Sequence, residues 1–186
     1  IVALTKFNFN SFDLTTAASK GLAFNSSANG FETSSSTSMV LIKTLTASSS
    51  ATLSFLNGSD SVVFDSTYPV YLFKYINVHP ATNAATFTFQ VDTGTNTSYN
   101  TTVTSTSFLS QHDEGDSATS LAYNGAKDQA QGTSFHVLSN EIGNGNDECG
   151  SGELYFFNPS SSTFAKLWLA RALSYQSDDY TQDRYF

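Results

Sequence analysis

Basic residues are scarce in this sequence. Eight Lys and Arg stand against sixteen Asp and Glu, giving a formal net charge of −8 over 186 residues. The eight (Lys6, Lys20, Lys43, Lys74, Lys127, Lys166, Arg171 and Arg184) are scattered without a cluster. Such a chain has no phosphate-binding footprint, so neither nucleic acid nor an anionic membrane surface is an expected partner. Cys149 is the single cysteine, which rules out an internal disulfide and a cysteine-based zinc site. No apolar run approaches the roughly 20 residues of a membrane-spanning helix, so no membrane insertion is expected. No signal-peptide pattern is present, and the first residue is Ile1; we read the chain as an internal or processed piece of a longer protein. Proline is rare, with three in all, and charged residues make up only 13%.

Ser, Thr and Asn fill the gap, together with many flat side chains: 16 Phe and 9 Tyr. Thr, Tyr, Phe and Val suit a pleated, half-buried surface, while Ser, Asn and Gly suit turns. The balance predicts an all-β protein. Val2 to Phe9 reads as a first strand, and residues 15–37 as an extended connection anchored by Phe24 and Phe31. MVLIKTLT (39–46), ATLSFL (51–56) and SVVFD (61–65) read as strands, with Asn57-Gly58 as a turn. VYLFKYINV (70–78) is apolar on both faces, which predicts a central strand covered twice. TFTFQV (86–91) and residues 99–109 alternate. Residues 110–133 form a long polar region with a short Leu121/Tyr123 element. Phe135 to Leu138 and Leu154 to Phe157 read as short strands around the loop 139–152. Residues 164–173 (FAKLWLARAL) have helical propensity but neighbours of strand character. Short strands with turn signals between them predict a jelly-roll-like antiparallel β-sandwich over 38–186, behind a short N-terminal attachment segment, 1–37.

The densest polar cluster is HDEGD (112–116). Two readings stand. One is a solvated turn held by its own Asp and Ser side chains. The other is a divalent-cation site built from Asp113, Glu114 and Asp116, with Asp147 and Glu148 of the second acidic loop; calcium suits such hard oxygen ligands. A catalytic zinc does not fit, for there is no HExxH and no PCxxC. Glycoside hydrolysis needs two carboxylates about 5–9 Å apart, yet Glu141 and Glu153 both lack an acidic partner two positions on. No GxSxG, GxGxxG or GxxxxGKS occurs, and His79, His112 and His136 are too dispersed in sequence to define a triad. No catalytic residue and no cofactor is assigned, and a non-enzymatic role is expected. Trp168, Tyr175, Tyr180 and Tyr185 could stack on sugar rings wherever the fold exposes them.

Four stretches carry a likeness: YLFKYINVHPATNAATFTFQV (71–91), HDEGDSATSLAYNGAKDQAQGTSF (112–135), SNEIGNGNDECGSGELYFFNPSSSTF (139–164) and the aromatic-rich close. In this order they resemble virion proteins of marine tailed phages, mostly phages of cyanobacteria, which are described as tail-fibre or structural proteins. The likeness covers roughly residues 38–186. It implies a place on the virion, on a tail fibre more than on the capsid surface, and partners among other virion proteins. It also implies a homotrimer and contact with a host cell-surface glycan. Family members continue with further strands, so the domain is expected to lack its last ones. The rivals are a capsid decoration or head-fibre protein, a lectin-like module and a fibre-borne glycan depolymerase.

Overall fold

The computed structural model describes residues 21–34, 39–94 and 96–186. The strand expected at 2–9 lies outside the described residues. Among those described the chain is all-β, without helices, and every strand pairing is antiparallel. It divides into two compact units, Ile1–Thr44 and Leu45–Phe186.

In the first unit β1 (Gly21–Phe24) pairs with β2 (Phe31–Ser34). The expected connection is thus a hairpin. Phe24 and Phe31 are cross-strand partners whose rings stack at 5.0 Å, the pairing that an antiparallel ribbon rewards. Asn25 closes the turn, its amide donating to Gly30 O at 3.0 Å and its carboxamide O accepting from the Asn29 amide at 3.2 Å.

The second unit holds β3 (Val70–Val78), β4 (Ala85–Phe89), β5 (Phe108–Asp113), β6 (Thr119–Tyr123), β7 (His136–Ile142), β8 (Gly150–Phe157), β9 (Leu167–Tyr175) and β10 (Tyr180–Tyr185). Six of them form one sheet in the order β3-β8-β9-β10-β5-β6, and β4 pairs with β7 in a separate ribbon. The ribbon lies on one face of the sheet. Phe87 meets Tyr75 of β3 at 4.8 Å, and Phe89 meets Trp168 of β9 at 4.9 Å. His136 lies 4.9 Å from both Trp168 and Phe186. On this inner face Ala170 and Ala172 are buried and small, and Gly152 backs directly onto the Tyr75 hydroxyl.

Several sequence expectations are corrected. VYLFKYINV is a strand, but β3 lies at the edge of the sheet rather than in its centre. Its Tyr71, Phe73 and Tyr75 face is covered by Phe55, Phe64, Tyr68 and Phe87. Its other face leaves Val70 42% and Ile76 74% exposed. A bulge between Tyr75 and Val78, with Asn77 at φ 52°, ends the regular pairing. Residues 39–46, 51–56 and 61–65 form no strands. The last two run past β3 and contribute Phe55 and Phe64 as aromatic cover, and Val62 is 3% exposed, so their apolar residues serve packing without a ladder. Of residues 164–173, those from Leu167 onward are strand and 164–166 are not: Leu167, Leu169, Arg171 and Leu173 point out, while Ala170, Ala172 and Ser174 point in. That period of two is incompatible with a helix. β10 was not foreseen, and β7 and β8 each reach into what reads as loop.

Candidate functional site

Four connections gather at one end of the six-stranded sheet. They are the β3–β4 turn, the β5–β6 turn carrying HDEGD, the β7–β8 loop of residues 143–149 and the β9–β10 turn of 176–179. Main-chain and side-chain bonds tie them together. The Glu114 amide donates to Asp179 O at 3.0 Å, the Gly143 amide to Tyr175 O at 3.3 Å, and the Tyr175 amide to Cys149 O at 2.9 Å. His79 Nδ1 lies 2.8 Å from Glu148 O, and the Asn144 amide donates to Asn83 Oδ1 at 3.1 Å.

His112 and Asp113 are the last residues of β5, and the rest of HDEGD is the turn into β6. Asp113 holds that turn. Its carboxylate accepts from the Ser117 amide at 2.9 Å and from the Ser117 hydroxyl and Ala118 amide, both at 2.5 Å. The Ser117 hydroxyl first, then the Ala118 amide, holds its carboxyl below the usual carboxylate range. Asp116 takes φ 54°, a left-handed turn position that Asp tolerates better than most residues; its side chain is 91% exposed, with Oδ1 3.2 Å from His112 Nε2. Glu114 turns away from both and accepts from the Tyr175 hydroxyl at 2.7 Å.

In the second acidic loop Glu148 folds back on itself. Its carboxylate accepts from the Gly145 amide, and it packs where a side chain on Gly143 or Gly145 would stand. Asp147 is exposed and close enough to act on Tyr175. The Tyr175 phenol is pushed up to about 12, by the hydrogen bond to Glu114 above all, then by desolvation and the charges of Glu114, Asp179 and Asp147. Of the proposed cation set, Glu114 bonds the Tyr175 hydroxyl, while Asp113 and Glu148 each serve their own turn. Among the described residues no three His, Cys, Asp or Glu side chains form a group that could hold a metal ion. The five carboxylates do not make one oxygen cage.

The aromatic candidates separate. Tyr175 stands at the rim and Tyr180 is half-buried. Tyr185 is 44% exposed on the outer face of the sheet, under the Arg171 guanidinium at 5.0 Å. Trp168 belongs to the inner packing beside Phe89, His136 and Phe186. An open depression elsewhere on the second unit is lined by Lys127, Asp128, Gln129 and Phe135 among others. Asp128 is its only acidic lining residue and accepts from the Tyr123 hydroxyl. A carboxylate pair for glycoside hydrolysis is not assembled there.

Sequence reasoning missed two features. Asp179 enters the rim through its main chain, which composition does not mark. The inner face also carries a buried polar cluster: His136, Ser139, Asn140, Gln176, Gln182 and Arg184 are all at most 6% exposed. Arg184 Nη2 donates to Asn140 Oδ1, and to Gln182 Oε1 at 3.0 Å. Asn140 Nδ2 and Gln176 Nε2 in turn donate to Glu141 Oε2 at 2.7 and 3.2 Å. Burial lowers the Arg184 pKa, and the Glu141 charge opposes that shift. The alternation of β10 places Arg184 inward, but the strand itself was not legible.

Comparison of the chain with family models, with curated proteins and with solved structures finds no match.

Proposed function

We propose that this chain is a non-enzymatic structural protein of a tailed-phage virion, a tail-fibre or receptor-binding domain with a jelly-roll-like β-sandwich body. The virion part of the reading rests on the four phrases 71–91, 112–135, 139–164 and the close. The adhesive part rests on one observation: four polar connections are bonded to one another at a single end of an antiparallel sheet. Loops held by a rigid scaffold are where recognition chemistry concentrates. The β4–β7 ribbon over the inner face supports the sandwich part.

The mechanism is surface recognition. The rim offers carboxylates, amides and one phenol to a hydroxyl-rich surface such as a host glycan. Several copies on one particle let weak contacts add by avidity. Other virion proteins hold the copies in place.

A capsid-decoration role is the second reading, and one observation favours it. The outer face of the sheet exposes Leu167, Leu169 and Leu173, the kind of apolar surface that a shell-bound protein presents to its support. Gold-labelled antibody on intact virions, viewed by negative-stain electron microscopy, separates the two. Label at fibre tips is expected. Label over the head replaces the adhesin with decoration, and unlabelled particles sink both.

A further inference from the structure

We propose that the outer face of the six-stranded sheet pairs with the same face of a second copy of this chain, about a two-fold axis running along the strands between β8 and β9. The inference stands on this face alone, goes beyond the virion reading, and sets a two-fold pair in place of the homotrimer that the resemblance implies.

A sheet with one face on the core normally turns polar residues to water on the other. This one does not. Leu167, Leu169 and Leu173 on β9 are 68%, 44% and 42% exposed, and Tyr185 on β10 is 44% exposed. Exposed apolar surface on this scale marks an interaction site. Four strands at about 4.8 Å spacing, with about seven residues each, make a patch roughly 19 by 24 Å. Its projected area is about 460 Å², which side-chain relief raises toward the about 800 Å² per partner of a standard interface.

The charges identify the occupant. Across this face run Lys74 on β3, Glu153 on β8, Arg171 on β9 and, one step along, Asp183 on β10. Within one copy they already pair, Lys74 with Glu153 at 3.9 Å and Arg171 with Asp183 at 2.6 Å, and so leave the face neutral on a chain of net charge −8. Two copies therefore repel least when they meet here. The order is plus, minus, plus, minus. A two-fold rotation about an axis between β8 and β9 reverses it, so each sign faces its opposite. Glu153 meets the second copy's Arg171, and Lys74 comes over the second copy's Tyr185 and Asp183.

The same rotation lays Tyr155 on the second copy's Leu169 and Phe157 on its Leu167, since these are cross-strand partners in one sheet. Side chains from two sheets then interdigitate at about 10 Å spacing, as in any sheet-on-sheet contact. Residues on β6, such as Leu121, fall outside the contact.

Light scattering coupled to gel filtration of the full chain tests this. The expected mass is twice 20.1 kDa. Leu169→Glu and Leu167→Glu, both at exposed positions, are each expected to give monomer with an unchanged β-sheet circular dichroism spectrum. Leu121→Glu, on a side chain 83% exposed, leaves the dimer intact. A zero-length carbodiimide cross-link gives an independent readout on the unmodified chain. Within one copy Lys74 and Asp183 lie three strands apart, roughly 14 Å, too far to join. A Lys74–Asp183 cross-linked peptide confined to the dimer band is expected. A monomeric or trimeric mass overturns the proposal. So does a dimer that survives Leu169→Glu, or a dimer band without that cross-link.

Discussion

His136 shows how much one buried side chain can set. It is fully enclosed, with Nε2 2.7 Å from the Ser105 hydroxyl and the ring among Phe89, Trp168 and Phe186. Burial penalises the charged imidazolium and lowers its pKa below the usual 6.5. The unfolded chain then binds the proton more readily than the folded one. The stabilisation is therefore complete above pH 6.5 and is lost as pH falls from there through the lowered folded value. We expect the urea midpoint to drop between pH 7.5 and pH 5, and the His136→Phe variant to lose most of that slope. A wild-type midpoint that is flat over this range would refute the assignment. Asp113 acts in the same direction lower down, because its hydrogen bonds favour the carboxylate. Its contribution is present above the usual carboxylate range and is lost as pH falls through the depressed value.

At the scale of the element, β8 shows why a strand needs a glycine in its middle. Gly152 faces inward between Tyr75 of β3 and Ala172 of β9. A methyl group there would collide with the Arg171 carbonyl O and the Tyr75 hydroxyl. The carbonyl belongs to the ladder and cannot swing aside, so β9 or β3 must shift. Overpacking of this kind costs about 1–3 kcal/mol. We expect Gly152→Ala to lose about 2 kcal/mol in urea unfolding with the m-value unchanged, while Gly125→Ala, whose added methyl comes no nearer than 3.6 Å to the Tyr123 ring, loses less. Equal losses would show that the close approach at Gly152 is not what matters.

At the scale of the whole molecule, the rim and the two sheet faces have different chemistry. The inner face is filled by aromatics and a polar cluster. The outer face is apolar with a neutral charged row, and the rim collects carboxylates. Asp113 and Glu148 are held by turn amides and Ser117, and Glu114 by Tyr175, so these three carboxylates have partners within the protein. We expect the thermal midpoint to be the same within about 1 °C in millimolar calcium or in chelator, since a ligand stabilises only through preferential binding to the native state. A calcium-dependent rise of several degrees would restore the cation site.

How much was legible follows from the range of each interaction. Composition and period-two alternation fixed the all-β class, and strands such as TFTFQV and YFF could be read because their neighbours in sequence carry the pattern. HDEGD could be read as a polar turn because Asp113, Ser117 and Ala118 are close in sequence and form their bonds locally. The sequence could not tell that VYLFKYINV lies at an edge, that LWLARAL is a strand, or that YTQDRY enters the centre of the sheet. Edge and centre differ only in which distant strand pairs alongside. Arg184 and His136 become inner residues only once β10 and β7 have partners. Tyr175 joins Glu114 across 61 positions, and no local signal carries that contact. The amino-acid sequence by itself determined the class, the turns and the low charge; the tertiary structure alone decided which loops share an end and which apolar face was left open, because those depend on long-range pairing.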